Sequence, residues 1–146
     1  MKSPALHGAL NMIFRYGITE DEDYAEKVYP FLRGVADFWE KDLVLRDGVY
    51  HVTGDGMHER TEENIRENGE PEDPVNTLGY LKTFFSWMPR ISEALNLDAE
   101  KRDKWRTISE NLAPYPKGTV RDIQNNPTLW KEVDVKLEEL LPEELL

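Results

Sequence analysis

Following a tight turn, the chain reads Val52-Thr-Gly-Asp-Gly-Met-His-Glu-Arg60, with two carboxylates, a histidine and two glycines in nine residues. The polar stretch continues to Asp73, and between Thr53 and Asp73 eight acids stand against two arginines, leaving −6 of a total formal charge of −11. Carboxylates crowded in this way disfavour one another's ionisation, which helps to keep one of them protonated near neutrality. The competing account is a solvated run of charge without a task, since Glu59 is one of eight acids there. His51 and His58 lie seven residues apart, a spacing that does not match a zinc pattern, so no metal ligand set and no cofactor are expected.

The elements that must position this segment are mostly helical. Pro4 to Tyr16 carries Leu6, Ala9, Leu10, Ile13 and Phe14 at helical spacing. Asp23 to Leu43 follows with Tyr24, Val28, Leu32, Val35, Ala36, Trp39 and Leu43 on one stripe. Pro30 lies inside that stripe, which predicts a kink near Glu26 to Val28 or a regular helix that begins close to Tyr29. Val44-Leu-Arg and Val49-Tyr-His flank Asp47-Gly48, the dipeptide favoured when both turn residues need positive φ, and this predicts a short β-hairpin. After the acidic segment, Asp73-Pro74 reads as an N-cap followed by proline at the first helical position. The helix it opens carries Val75, Leu78, Leu81, Phe84, Phe85, Met88, Ile91 and Leu95, with Pro89 expected to bend it. Asp98 is expected to cap a helix with Trp105, Ile108 and Leu112 inward, and Asn126-Pro127 to start a last one. The expected fold is mainly α, antiparallel helical hairpins with one short β-hairpin, in a single domain over residues 1–146.

Composition narrows the function. The acidic balance repels nucleic-acid phosphates and anionic membrane surfaces. No apolar run approaches the ~20 residues that cross a bilayer, so a soluble chain is expected. The absence of cysteine excludes disulfides and thiolate metal sites. Small neutral or cationic ligands stay open. Trp39 and Trp105 fall in apolar stripes and read as core, whereas Trp87 falls off its helix's main stripe and reads as an exposed ring. His7 lies beside apolar positions of the first helix and reads as structural.

Two features are shared with a known family. One is Val28-Tyr-Pro-Phe-Leu-Arg-Gly-Val-Ala-Asp-Phe-Trp39. The other is the order of hairpin, Glu-bearing loop, Asp/Asn-containing helix start, Leu95-Asn-Leu-Asp98 and Leu112-Ala-Pro-Tyr-Pro116. From Ala5 to Pro116 the chain resembles part of the six-hairpin, or (α/α)6, glycoside hydrolases, and is most similar to the group containing the inverting 1,2-α-L-fucosidases. The resemblance implies a general acid at Glu59, in Met57-His-Glu-Arg60, where Met57-His58 replaces the family's serine-proline. It implies a substrate-facing amide at Asn76, with Asp55, His58 and the Trp87 ring as further contacts to a carbohydrate.

An inverting glycosidase needs a second carboxyl group ~6.5–9.5 Å from the acid to activate water. By resemblance, that half of the machinery falls outside Met1 to Leu146. The chain is therefore expected to be part of a barrel, inactive alone, with the missing elements or a homodimer completing it. Phe84, Phe85, Trp87, Trp130, Leu141 and Leu145 are expected on the uncovered side. A helical interaction module or a carbohydrate-binding module without catalysis is the alternative.

Overall fold

The computed structural model describes residues 2–55 and 72–115. Compactness divides the chain into Met1–Tyr115 and Pro116–Leu146, and the fold below is that of the first unit. Glu59 and His58, the helix expected at Asn126, and Trp130, Leu141 and Leu145 fall outside the described residues.

Helix α1 spans Pro4–Thr19 and ends at Glu20, whose left-handed backbone (φ 51) lets its N–H reach the Tyr16 carbonyl at 2.7 Å. Helix α2 spans Glu22–Asp42 and is capped by Asp21, whose Oδ1 accepts from the Tyr24 N–H at 3.0 Å. Glu22 and Asp23 in its first turn and Lys41 in its last match the helix dipole. The helix runs through Pro30 from Glu22 onward, so its regular part does not wait for Tyr29. Pro30 and Glu26 are both exposed, and the carbonyl left without its usual donor is on the water side.

Strands β1 (Val44–Arg46) and β2 (Val49–His51) pair antiparallel in the register Val44↔His51, Leu45↔Tyr50 and Arg46↔Val49. Asp47 (φ 49) and Gly48 (φ 83) both take positive φ, as the two-residue turn requires. Helix α3 spans Val75–Ala94, and a single 3₁₀ turn, Ala99–Lys101, leads into α4, Arg102–Glu110.

Two expected caps are not caps. Pro74 occupies the cap position of α3, so the helix begins one residue later than expected, and Asp73 makes no capping bond. Asp98 takes a left-handed φ of 46 without a capping bond. Both carboxylates serve distant partners instead, described below.

The core forms around α3, which packs against α1, α2 and α4. Leu78, Leu81, Phe84, Phe85, Met88 and Ile91 of α3 are completely buried, facing Leu6, Ile13, Leu32, Trp39, Trp105 and Ile108 in one cluster. Each large side chain so buried contributes about 1.5–3 kcal/mol before entropy is counted. This overturns the expectation that Phe84 and Phe85 lie on an uncovered side: their rings meet edge to face at 5.3 Å inside the core. Among the described residues the exposed aromatics are instead Phe14 on α1, Phe31 and Phe38 on α2, and Tyr115 beyond α4. The hairpin is tied to the chain beyond α4, with the Tyr50 N–H donating to the Asn111 carbonyl at 2.8 Å and the Ala113 N–H to the Tyr50 carbonyl at 2.9 Å.

A polar clasp joins α2 to the start of α4. The Tyr29 hydroxyl donates to Asp98 at 2.8 Å and Arg33 Nε to the same oxygen at 2.9 Å. Lys101 reaches Asp37 at 2.8 Å and Glu40 at 3.3 Å, Arg33 also pairs with Asp37, and the Trp105 indole donates to Glu40 at 2.8 Å. Burial and then the bond to Asp98 raise the Tyr29 hydroxyl above its ordinary value. The Arg33 bond, working against partial burial and aided by Lys101, holds the Asp37 carboxyl below its ordinary value.

Two predictions follow from packing and linkage. A Cβ on Gly8 meets nothing within 4 Å, whereas one on Gly17 lies 2.7 Å from Trp87 Cη2. Gly8→Ala should gain about 0.5–1 kcal/mol from helix propensity, and Gly17→Ala should lose stability despite the same propensity gain. Urea unfolding of both variants decides this, and equal stabilisation counts against the Trp87 contact. Because Asp37 is lowered on folding, its contribution is complete above the unfolded carboxylate value of about 4 and is lost as pH falls through its folded value. The stability gap between wild type and Asp37→Asn should therefore narrow below about pH 4, as measured by urea midpoints across the acid range. A gap independent of pH removes Asp37 from the clasp.

Candidate functional site

The acidic segment leaves and re-enters the fold at one place. Thr53 and Glu72 form an antiparallel bridge. Beside it the Asp73 N–H donates to the Val52 carbonyl at 2.8 Å, and the Val52 N–H donates to Asp73 Oδ1 at 2.8 Å. Asp73 Oδ2 lies 2.7 Å from His51 Nδ1, and since a carboxylate only accepts, the imidazole donates there. Asp73 reaches this arrangement with a φ of 51, a left-handed conformation that aspartate tolerates better than most residues. This use of the side chain is why it does not cap α3.

Asp55 is completely buried at the base of the segment. It accepts from the Lys2 backbone N–H at 2.7 Å and from Thr77 Oγ1 at 2.8 Å. Lys2 in turn extends its ammonium to Asp42 at 2.8 Å and to the Thr53 carbonyl at 2.9 Å. Asp55 thereby joins the N-terminal residues to the first turn of α3, and its carboxylate holds structure together at a place where it was expected to contact substrate. Asn76, next to Thr77, behaves differently. Its Oδ1 is buried and accepts no hydrogen bond among the described residues. An acceptor removed from water without a donor costs about 1–3 kcal/mol.

His51, Glu72 and Asp73 bring ligand atoms within 4.8 Å of one another. All three are engaged: Asp73 by His51 and Val52, and Glu72 by Arg46. A cation would have to displace Arg46 and break the His51–Asp73 bond, so the trio acts as a fastener for the two ends of the segment.

Trp87 lies elsewhere. It is eleven residues beyond Asn76 on α3, three turns or ~16 Å along the axis, so one small ligand does not touch both. Its ring is half-buried, where an exposed one was expected, because Gly17 of α1 lets it lie against that helix. The Arg90 guanidinium rests over it, 4.3 Å from the ring centroid. Tyr16, Gly17, Glu20, Trp87, Arg90 and Glu93 line a cleft of about 280 Å³. Among the expected site residues, Asp55 is bonded to Thr77, the residue after Asn76, and Trp87 lies apart from both. His7, expected to be structural, packs against Tyr80 with ring centroids 5.6 Å apart.

Sequence reasoning passed over the His51–Asp73 pair and the partners of Trp87. A signal for the second existed: Trp87, Arg90 and Glu93 recur every three residues on the side of α3 away from its apolar stripe, and Tyr16 and Glu20 share a face of α1. The first spans 22 residues and carries no local pattern. Among the described residues no helix is long and apolar enough to cross a membrane. No protein-family model, curated protein or solved structure matches the chain.

Proposed function

We propose that the chain is a carbohydrate-binding helical module of glycoside-hydrolase type that does not hydrolyse glycosides by itself. The observation that carries this reading is the buried Asn76 Oδ1 at the base of the acidic segment, which has no hydrogen-bond partner among the described residues. A sugar hydroxyl is a donor that satisfies such an acceptor, and the family resemblance directs an amide at this position toward the sugar. The resemblance also assigns the general-acid position to Glu59, within the segment whose two ends meet at Val52 and Asp73. The second carboxylate is what is wanting. Among the described residues, the carboxylates at the base are Asp55, Glu72 and Asp73, and each is held by partners that leave it unsuited to activating water. One acid without an opposed base does not complete an inverting displacement.

Binding is tested by titrating the labelled chain with fucosides, galactosides and glucosides and following backbone amide shifts. A saturable response at residues 52–55 and 72–78 is expected with one of them. Asn76→Ala should weaken it about tenfold, equivalent to ~1.4 kcal/mol. Wild type and Glu59→Gln should be equally inactive on aryl glycosides. Saturation by none of the sugars, or full affinity in Asn76→Ala, overturns the binding reading, and turnover abolished by Glu59→Gln restores the catalytic one.

A helical interaction module is the second reading, favoured by a different observation. Pro30, Phe31, Gly34 and Phe38 border a shallow apolar groove of about 410 Å³ on α2, with Phe31 and Phe38 43% and 46% exposed. Homodimerisation through this face should disappear in Phe31→Ser/Phe38→Ser, as read by sedimentation at several concentrations. A monomer at every concentration removes self-association.

A further inference from the structure

The outward side of α2 carries a pattern that its own fold does not use. Lys27, Phe31, Gly34, Phe38 and Lys41 recur at steps of four and three residues, opposite the buried stripe of Ala25, Tyr29, Leu32, Ala36 and Trp39. Phe31 and Phe38 stand exposed on either side of Gly34 and wall the apolar groove, with Ala5 of α1 beside them. Glycine inside a helix costs stability relative to alanine, yet a Cβ on Gly34 meets nothing within 4 Å. The fold of one chain gives no reason for a glycine there, whereas a second helix crossing at this point does. Charge is divided along the same face. The acids near its C-terminal end are neutralised within the fold, Asp37 by Arg33 and Lys101, and Asp42 by Lys2. Lys41 forms no ion pair among the described residues, and neither do Asp23 and Glu26 at the N-terminal end.

We propose that this face joins two copies of the chain through an antiparallel pair of α2 helices about a two-fold axis, with Gly34 as the point of close approach. When Phe31 of one protomer lies on Gly34 of the other, the antiparallel register brings Lys27 level with the second protomer's Phe38. The same register sets the second protomer's Lys41 level with Tyr24, between Asp23 and Glu26. The Phe38 ring face attracts the Lys27 ammonium, the two carboxylates attract that of Lys41, and the symmetry makes each contact twice. Antiparallel alignment also places the positive end of each helix dipole beside the negative end of the other. A parallel pair fails on the same residues, because it sets Lys41 against Lys41 and each acid against its own copy. One sequence thus supplies both halves of the charge pattern, which is the argument for a second copy as the occupant. The inference rests on the interaction reading of this face and adds its geometry; it is independent of the carbohydrate reading at Asn76.

The test is sedimentation equilibrium of the full chain over a concentration series at about 0.15 M salt, which screens the mutual repulsion of two copies of net charge −11. A monomer–dimer equilibrium is expected. Gly34→Leu should weaken dimerisation at least about tenfold without lowering the urea midpoint, because the new side chain has open space on its own chain. Lys41→Glu should weaken it about three- to tenfold, and adding Glu26→Lys to the same chain should restore most of the loss, since both residues are exposed and the swap keeps the pairing. Orientation is read by cross-linking, as the chain has no cysteine of its own. Glu26→Cys chains mixed with Lys41→Cys chains should form a disulfide faster than Lys41→Cys chains alone. Dimerisation unchanged in Gly34→Leu, no recovery in the double variant, or faster cross-linking of Lys41→Cys alone overturns the proposal and leaves the interaction reading of the face in place. A monomer at every concentration overturns both.

Discussion

Everything in the described unit leans on the buried face of α3. Leu78, Leu81, Phe84, Phe85, Met88 and Ile91 take up close to half of the helix circumference, more than one neighbouring helix can cover. Helices α1, α2 and α4 share the task. Once they are in place, the side of α3 that faces away is free for polar work, and its two ends acquire different surroundings. The N-terminal end meets the hairpin and both ends of the acidic segment, where Asn76 and Thr77 lie. The C-terminal end meets the last turn of α1, where Gly17 admits Trp87. Both candidate sites are therefore by-products of how one helix had to be covered.

The helices and the hairpin were legible because their signals are local. Apolar recurrence every three or four residues marked α1 to α4, and Asp47-Gly48 marked the turn to the residue. Burial of Trp39 and Trp105 followed from the same stripes. What could not be read was the destination of polar side chains whose partners are far along the chain. Asp73 and Asp98 each stand just ahead of a helix and match an N-cap in composition. A cap supplies one bond to a backbone N–H, whereas Asp73 joins Val52 and His51, and Asp98 joins Tyr29 and Arg33. Two bonds that tie separate elements together outweigh one that finishes a single helix, and the backbone accepts a left-handed φ at both residues.

Burial of α3 misled in the other direction. Phe84 and Phe85 were placed on an open flank because a partial toroid leaves one, but three other helices and the segment after α4 suffice to enclose them. The expectation at Asn76 came from a resemblance and from position, and helical periodicity does not show that its oxygen is buried without a hydrogen-bond partner among the described residues. The cleft at Trp87 depends on where α1 and α3 happen to stop, a property of two elements that no single stretch of sequence displays.

The tie at the base of the acidic segment has an evolutionary consequence. Because Thr53 pairs with Glu72, and Val52 with Asp73, the hairpin and the start of α3 are tied to each other where the segment leaves and where it returns. Closing a loop between fixed ends costs only about 0.6 kcal/mol more for each doubling of its length. A change of length between the two fixed ends therefore carries a small closure cost, which makes this a position where specificity can diverge among descendants of the same scaffold.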